Sequence, residues 1–382
     1  MSIELRVEKV AHGGVFVARP EGKVVLVSGA IDGELVRVEI TEEAKSFLRA
    51  EVVEVLEPSP HRQEHFWAAA AKGAGGADFG HITLAHQREL KAQVLAEALS
   101  RLAGLDIAVR VQPADETGLG YRSRIQLHAN KHGRLGVKRQ RSDEVIAIGK
   151  HPLAVEAINE SGIFQKRFSD GNRVEVATDA LGTISETVNG KPNGQQLTYT
   201  ALERRFSLSS GTFWQAHVNA PQLLAAEVLR QIEVLGGVGE LLDLYSGAGL
   251  FSANVAEHFS ASVTAVESSA SAVADGKRSS KDLTRLKFVK SDVLSYLRQQ
   301  PDAPETILLD PPRSGAATKV TNELIRLRPQ HIVYVACDPV ALARDLKLLG
   351  AAGYELGEIS AFDIFPQTHH FETVVSLRLA KV

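Results

Sequence analysis

A chain of 382 residues, 44% hydrophobic and 23% charged, is ordinary globular material with room for two to three domains at roughly 100–200 residues each. Its one cysteine, Cys337, excludes an intrachain disulfide and a cysteine-cage metal site. The net charge of −3 does not exclude a nucleic-acid partner, because phosphate contacts depend on where the cations sit. The charged start MSIELRVEKV lacks the apolar stretch of a signal peptide, and no apolar run is long enough to span a membrane. A cytoplasmic monomer without membrane association is expected.

In chain order, residues 1–57 read as five short strands, LRVEKV, GVFVARP, KVVLVSG, ELVRVEI and RAEVVEVLEP, separated by Gly-containing turns. That spacing predicts a small barrel, with Pro58-Ser59-Pro60 as a linker. The stretch AAAAKGAGGADFG, residues 68–80, has no period and reads as a loop. A helix is expected from about Thr83 to Leu102, capped by Thr83. Residues 107–206 read mostly as strands, IAVRVQPAD among them. Within them, Tyr121–Arg141 is basic, with Arg122, Arg124, Lys138 and Arg139 and no acidic residue; an RNA-binding face and a solvated face are the two readings. From Asn219 onward helical and continuously apolar strand segments alternate, which predicts a parallel sheet covered on both faces.

Five motifs fall at the ends of strands in this last region or just before it. Asp243-Leu-Tyr245-Ser246-Gly247-Ala-Gly249-Leu250 follows a strand and opens a helix, and its glycines permit close backbone approach to a ligand; a structural turn is the alternative. Glu267, ending the next strand, can accept hydrogen bonds from two ribose hydroxyls, and Asp292, ending the one after, can reach an adenine amino group. Together they describe the S-adenosylmethionine site of a class I methyltransferase. Leu309-Asp310-Pro311-Pro312-Arg313 fixes a carboxylate at a strand end, because the prolines cannot continue the ladder. Val335-Ala-Cys337-Asp-Pro339 sets the lone thiol just before a helix, whose dipole is expected to depress the thiol pKa. Glu372 in HFETVV is costly in an apolar strand unless it has a task such as general base. The amides of Gln215 and Asn219 are candidates to hold the methionine end of the cofactor.

These residues resemble one family in order and spacing: DLYSGAGLF, LLDPPRSG, YVACDPVALARDL and DIFPQTHHFETV are similar to successive signatures of the RNA 5-methyluridine methyltransferases, bacterial enzymes acting on tRNA and ribosomal RNA. The resemblance implies a multidomain α/β protein. Residues 1–58 would form a TRAM barrel, 59–205 a mostly β RNA-binding domain, and 206–382 a class I, Rossmann-like methyltransferase domain. It implies Cys337 as nucleophile and Glu372 as base. It assigns Gln215, Tyr245, Glu267 and Asp310 to the cofactor and target-base site, with Gly247, Gly249, Leu250 and Asp292 beside the cofactor. Arg122, Arg124, Lys138 and Arg139 become RNA contacts, and Phe365 and Phe371 candidates to receive the base.

Many relatives hold a [4Fe–4S] cluster through four cysteines; Ala68, Ala74, Ala77 and His151 stand in those places here. No cluster and no metal are therefore expected, and the alanine-rich loop is expected to be relaxed and unclamped. Ala336-Cys337-Asp338 replaces the more usual Ser-Cys-Asn. The expected activity is transfer of a methyl from S-adenosylmethionine to C5 of a uridine, with ribosomal RNA favoured over tRNA. The alternatives are a non-catalytic RNA-binding or RNA-folding protein and a class I methyltransferase acting on another base atom.

Overall fold

The computed structural model describes residues 2–302 and 304–381. The chain opens with β1 (Ser2–Arg6), β2 (Lys9–Ala11), β3 (Val15–Ala18), β4 (Val25–Ser28), β5 (Leu35–Glu43) and β6 (Leu48–Glu57). They form one sheet in the order β1-β5-β6-β4-β3-β2. LRVEKV is thus two strands rather than one. The break falls at Val7, whose N–H donates to Glu34 and whose carbonyl accepts from Gly33. The proline-flanked linker is tied down: buried Glu34 accepts from Ile31 N, Ser59 N and the Arg62 guanidinium.

Next come α1 (Leu84–Ala98) and β7 (Val111–Pro113). Thr83 occupies the cap position of α1 but makes no side-chain cap bond. The helix ends in one wider turn, Leu99–Ala103, before Gly104 at φ 70°. Its Leu90 joins the core of the N-terminal sheet, whereas Leu95, Ala98 and Leu99 join the core of the C-terminal sheet.

The middle of the chain holds β8 (Arg124–Ala129), β9 (Leu135–Lys138), β10 (Val145–Ala147), α2 (Glu156–Glu160), β11 (Arg173–Thr178), β12 (Ile184–Val188), β13 (Gln196–Ala201) and β14 (Arg204–Ser209). Five of these strands form the sheet β10-β9-β8-β11-β12, antiparallel throughout. β13 and β14 stand apart as a hairpin whose Leu197, Phe206 and Leu208 belong to the C-terminal core. Arg204 locks that hairpin to the C-terminal part through Glu257 and Asp282.

The rest is α3 (Ala220–Val234), β15 (Glu240–Leu244), α4 (Leu250–His258), β16 (Ser262–Glu267), α5 (Ala270–Ser279), β17 (Leu286–Lys290), α6 (Val293–Arg298), β18 (Thr306–Leu309), α7 (Ala317–Leu327), β19 (His331–Ala336), α8 (Pro339–Ala351), β20 (Tyr354–Asp363) and β21 (Glu372–Leu379). The strands are ordered β17-β16-β15-β18-β19-β21-β20-β7. Every residue of β18 and β19 is buried, as continuous apolar runs covered by helices on both faces must be. Two boundaries differ from the sequence reading. The strand in IAVRVQPAD pairs with β20 in this sheet rather than with the central one, and the β13–β14 hairpin also packs here. Residues 59–205 are therefore not one contiguous unit.

Candidate active site

The parallel strands deliver their following residues to one edge of the sheet, where open α/β sheets bind ligands. β18 delivers Asp310, β19 delivers Cys337, and antiparallel β21 begins with Glu372. Ala336 faces Thr373 across the β19–β21 pair, so the next pair in that register is Cys337 beside Glu372. Leu309 faces Tyr334, which brings Asp310 to the same end. The three residues come together from three strands.

The loop bearing Asp310 is held from below. Asp345, fully buried on α8, accepts from Ala316 N at 2.9 Å and Tyr334 Oη at 2.8 Å. Gly315, at φ 79°, lies so close that an added Cβ would come 2.6 Å from Asp345 Oδ2. Arg344 donates to Ser314 O at 2.6 Å. The ALARD sequence is thus the floor of the Asp-Pro-Pro-Arg-Ser-Gly loop.

The electrostatics overturn one expectation. The Cys337 thiol is pushed up to about 12, chiefly by burial and then by Glu372 and Asp310, with Arg313 opposing. Burial thus outweighs the expected depression by the helix dipole, and Asp338 caps α8: its Oδ1 accepts from Ala341 N at 2.8 Å. That carboxylate meets the positive end of the helix first, and Pro339 contributes no N–H there. Burial also raises Asp310 to about 7, and it raises Glu372 well above the usual carboxylate range, with Asp310 adding and Arg313 opposing. Asp243, fully buried beneath, reaches about 7 through burial and despite its bond from Ser252. Arg313 is the cation facing this acidic cluster. Its place within LLDPPRSG carries no sign of that role in the sequence alone.

A carboxyl group raised in the folded state makes stability depend on pH. The unfolded chain releases the Asp310 proton near 3.8 and the folded chain only near 7. Between these values the unfolded state binds fewer protons, so stability falls as pH rises and stays lowered above about pH 7. Asp310→Asn removes the penalty. The variant is expected to melt about 2–6 °C higher than the parent at pH 8.5, with the difference vanishing near pH 4; equal melting temperatures at both pH values would refute the assignment.

A cavity of about 380 Å³ adjoins the cluster, lined by Gln215, Tyr245, Gly247, Leu250, Glu267 and Asp310 among others. That volume is within the usual range of small-molecule sites, about 300–1,000 Å³. Gly247, at φ 55°, has open space where a side chain would stand, and Gly249, at φ 87°, packs so tightly that a Cβ would come 2.6 Å from Phe288. Glu267 accepts from Gly247 N at 3.0 Å and Ser269 N at 2.6 Å. Ser246 lines the cavity with a buried Oγ that has no partner among the described residues. Two carboxylates, a close-approach backbone and an unpartnered hydroxyl fit a cationic, hydroxyl-bearing ligand such as S-adenosylmethionine. Asp292 is not among the lining residues; its Oδ1 caps α6, accepting from Ser295 N at 2.9 Å. Nor does Asn219 line this cavity; its side chain donates to Ala114 O.

A second, larger cleft of about 500 Å³ runs from the central sheet to the site, lined by Arg122, Lys138, Arg139, Arg313, Phe365 and His370 among others. Lys138 and Arg139 are exposed and paired with Asp143 and Glu144, acids just beyond the basic stretch. Such surface pairs are worth little and yield readily to phosphates. Arg124 is a correction. Its guanidinium is turned inward, donating to Thr212 O at 2.7 Å and lying 3.2 Å from Glu175. It braces the segment that carries Gln215 instead of facing the cleft. Phe371 is likewise buried in the core, whereas Phe365 borders the cleft.

The alanine-rich segment is not unclamped. Gly75 N donates to Lys138 O, and Gln140 N donates to Gly73 O. Ala74, Ala77 and Trp67 pack into the core of the central sheet. Trp67 lies against buried His151, ring centroids 5.1 Å apart, and burial holds that imidazole neutral, its pKa lowered to about 3. Among the described residues, no group of three or more His, Cys, Asp or Glu side chains is placed to hold a metal ion.

Comparison with known proteins accords with this layout. The tRNA (uracil-5-)-methyltransferase family matches residues 277–380, and the TRAM domain matches residues 2–53. An RNA methyltransferase of Bifidobacterium longum is 33% identical, covering 98% of this chain and 96% of its own. A 23S rRNA (uracil(1939)-C(5))-methyltransferase of Shewanella amazonensis is 28% identical over 99% of this chain and 96% of its own. The fold is shared over 98% of this chain with the whole tRNA (uracil-54, C5)-methyltransferase of Pyrococcus abyssi, solved with S-adenosyl-L-homocysteine, at TM-score 0.73 and 21% identity. With a TRAM domain at one end and the uracil-5 module at the other, and near full-length likeness to RNA methyltransferases between them, this chain belongs to the RNA 5-methyluridine methyltransferase family.

Proposed function

We propose that this protein transfers a methyl group from S-adenosylmethionine to C5 of a uridine in RNA through a covalent adduct on Cys337. The observation that carries the reading is the convergence of the chain's single thiol with Glu372 and Asp310 at one sheet edge, between a small-molecule cavity and a cation-lined cleft. Uracil C5 is too weak a nucleophile to be alkylated directly. Addition of the Cys337 sulfur to C6, its S–H proton passing to solvent as the S–C6 bond forms, moves electron density onto C5, which is nucleophilic catalysis. Bound in the cavity lined by Gln215, Tyr245, Glu267 and Asp310, S-adenosylmethionine supplies an electrophilic methyl group.

Glu372 then takes the C5 proton. Because burial favours its protonated form, the ionised carboxylate is a strong base at that position. As the proton leaves, the C5–C6 double bond re-forms, the C6–S bond breaks with its electron pair returning to sulfur, and the free thiol is restored by a proton. The target must leave its stack to reach the thiol, and Phe365 is the aromatic surface placed to receive it. The favoured substrate is ribosomal RNA, which the likeness to a 23S rRNA enzyme supports. The test is to incubate the purified chain with a methyl-labelled donor and separate rRNA and tRNA pools, then digest to nucleosides. Label in 5-methyluridine is expected; label confined to another nucleoside would exclude this reaction.

RNA binding gives a separate test. Neutralising Arg122, Lys138 and Arg139 is expected to weaken RNA binding and to reduce the salt slope by about 0.7 for each single-strand phosphate no longer neutralised, leaving donor binding intact. Arg124→Gln is expected to do the reverse, weakening donor binding through the Gln215 segment with the salt slope unchanged. An unaltered slope in the triple variant would return these cations to a solvated surface.

A further inference from the structure

The turn between β2 and β3 crosses from the N-terminal sheet to the reacting edge of the C-terminal one. His12 Nε2 lies 2.8 Å from Asp338 Oδ2, and the other oxygen of that carboxylate caps α8 through Ala341 N at 2.8 Å. Asp338 directly follows Cys337, so one side chain joins the thiol's turn, the helix behind it and the N-terminal sheet. Two residues on, Gly14 sits at φ 74° against a second clamp. A Cβ there would come 2.5 Å from Asp78 Oδ2 and 2.8 Å from His369 Nδ1, two groups paired with each other at 2.7 Å. Ala11, His12 and Gly14 share one small enclosed space with Cys337, Asp338 and His370.

We propose that His12 is a positioning residue for Cys337, acting through Asp338, so that the N-terminal sheet completes the reaction site as well as any RNA surface. The proposal rests on Cys337 being the nucleophile. The residue after the cysteine is an acid, and an acid needs a counter-charge that an amide would not. The charge beside the thiol's turn is thereby neutralised and its direction fixed. Both partners are partly exposed, 47% for His12 and 22% for Asp338, so the pair adds little to stability. Its effect is on the charge beside the thiol and on the thiol's position, since a nucleophile displaced by about 1 Å loses up to about 100-fold in rate.

The surrounding charges are disposed around this pair. Asp310 and Arg313 face the thiol from the loop after β18, and Glu372 from β21. Lys91 of α1, His369 and His370 line the space behind it, with Lys91 neutralised by Asp363 at 2.5 Å and His369 paired with Asp78 at 2.7 Å. The hydrogen bond with Asp338 raises His12 above its usual value, against burial. In Asp338, bonding to His12 and to the Ala341 amide outweighs burial and lowers the carboxyl. The pair therefore stays charged to higher pH than a free imidazole would allow and opens as pH rises through the raised His12 value.

Cys337 is the chain's only thiol, so its alkylation by iodoacetamide across pH reads its ionisation without RNA or donor. In the full chain, His12→Ala is expected to raise the apparent thiol pKa and to lower kcat about 10- to 100-fold, with KM for RNA within about twofold. Adding Asp338→Asn to His12→Ala is expected to restore both, because an uncharged cap needs no imidazolium. His12→Gln, which keeps a donor, is expected to fall between, and serves if the alanine variant is unstable. An unshifted alkylation profile, a rise in KM alone, or failure of Asp338→Asn to restore would overturn the proposal. Alkylation that shifts and is restored, in a protein whose Cys337→Ala variant still methylates, would instead remove the thiol mechanism and leave the contact as structure.

Discussion

Cys337→Ala is expected to lower methyl transfer by about 10⁴-fold or more, the scale on which removing a covalent nucleophile acts, while donor binding stays within about twofold. The thiol lies outside the donor cavity, so the two readouts separate. The same residue gives a positive test. In RNA carrying 5-fluorouridine, the atom at C5 cannot leave as a proton, so elimination stalls after the methyl is in place and the protein stays bonded to C6. A band resistant to denaturant is expected with the parent chain and none with the alanine variant. Because the chain has one cysteine, peptide mass mapping can assign the adduct to a single residue. Methyl transfer by Cys337→Ala near the parent rate would eliminate the covalent route and restore the alternative of a methyltransferase acting on another base atom.

Glu372→Gln acts one step later. Its carboxyl is buried at 4% exposure, and the amide is close to isosteric, so the fold should hold. Without a base the C5 proton is retained, and turnover is expected to fall by about 10²–10⁴-fold. Ordinary uridine RNA should then accumulate the adduct that the parent forms only with the fluorinated analogue. Loss of turnover with no adduct would place Glu372 before S–C6 bond formation, as acceptor of the thiol proton. Normal turnover would remove it from the reaction.

Much of this site was legible in the chain because its parts are local. DLYSGAGLF, LLDPPRSG and VACDP each carry a strand, its end and the following turn within a few residues, and alternation of apolar strands with helices fixes which sheet edge they share. What escaped was set by distant partners. Arg124 reads as one more cation in a basic stretch; only the approach of Thr212 and Glu175 turns it inward. β7 is three residues long, and its pairing with β20 leaves no local trace. The alanine-rich segment reads as relaxed because it offers no thiolates for a cluster to clamp, yet its order comes from backbone pairing to residues 138–140, which composition does not register. The capped dipole was within reach, since an Asp immediately before a Pro-led helix is a capping signal, whereas the rise of the thiol itself comes from burial and from Glu372 and Asp310 on other strands.

The pairing of β7 with β20 also bears on how the protein is made. Val111 meets Ala361, and about 250 residues of chain must be synthesised between them. At roughly 5–20 residues per second, the ribosome holds β7 without its partner for about 12–50 s. Nearly the entire enzyme therefore waits on its last few dozen residues, and during that wait an unpaired strand and the apolar flank of α1 are open to chaperones. A nascent chain stalled before β20 should be captured as an incompletely closed, protease-sensitive species, even though its N-terminal and central sheets have all their strands.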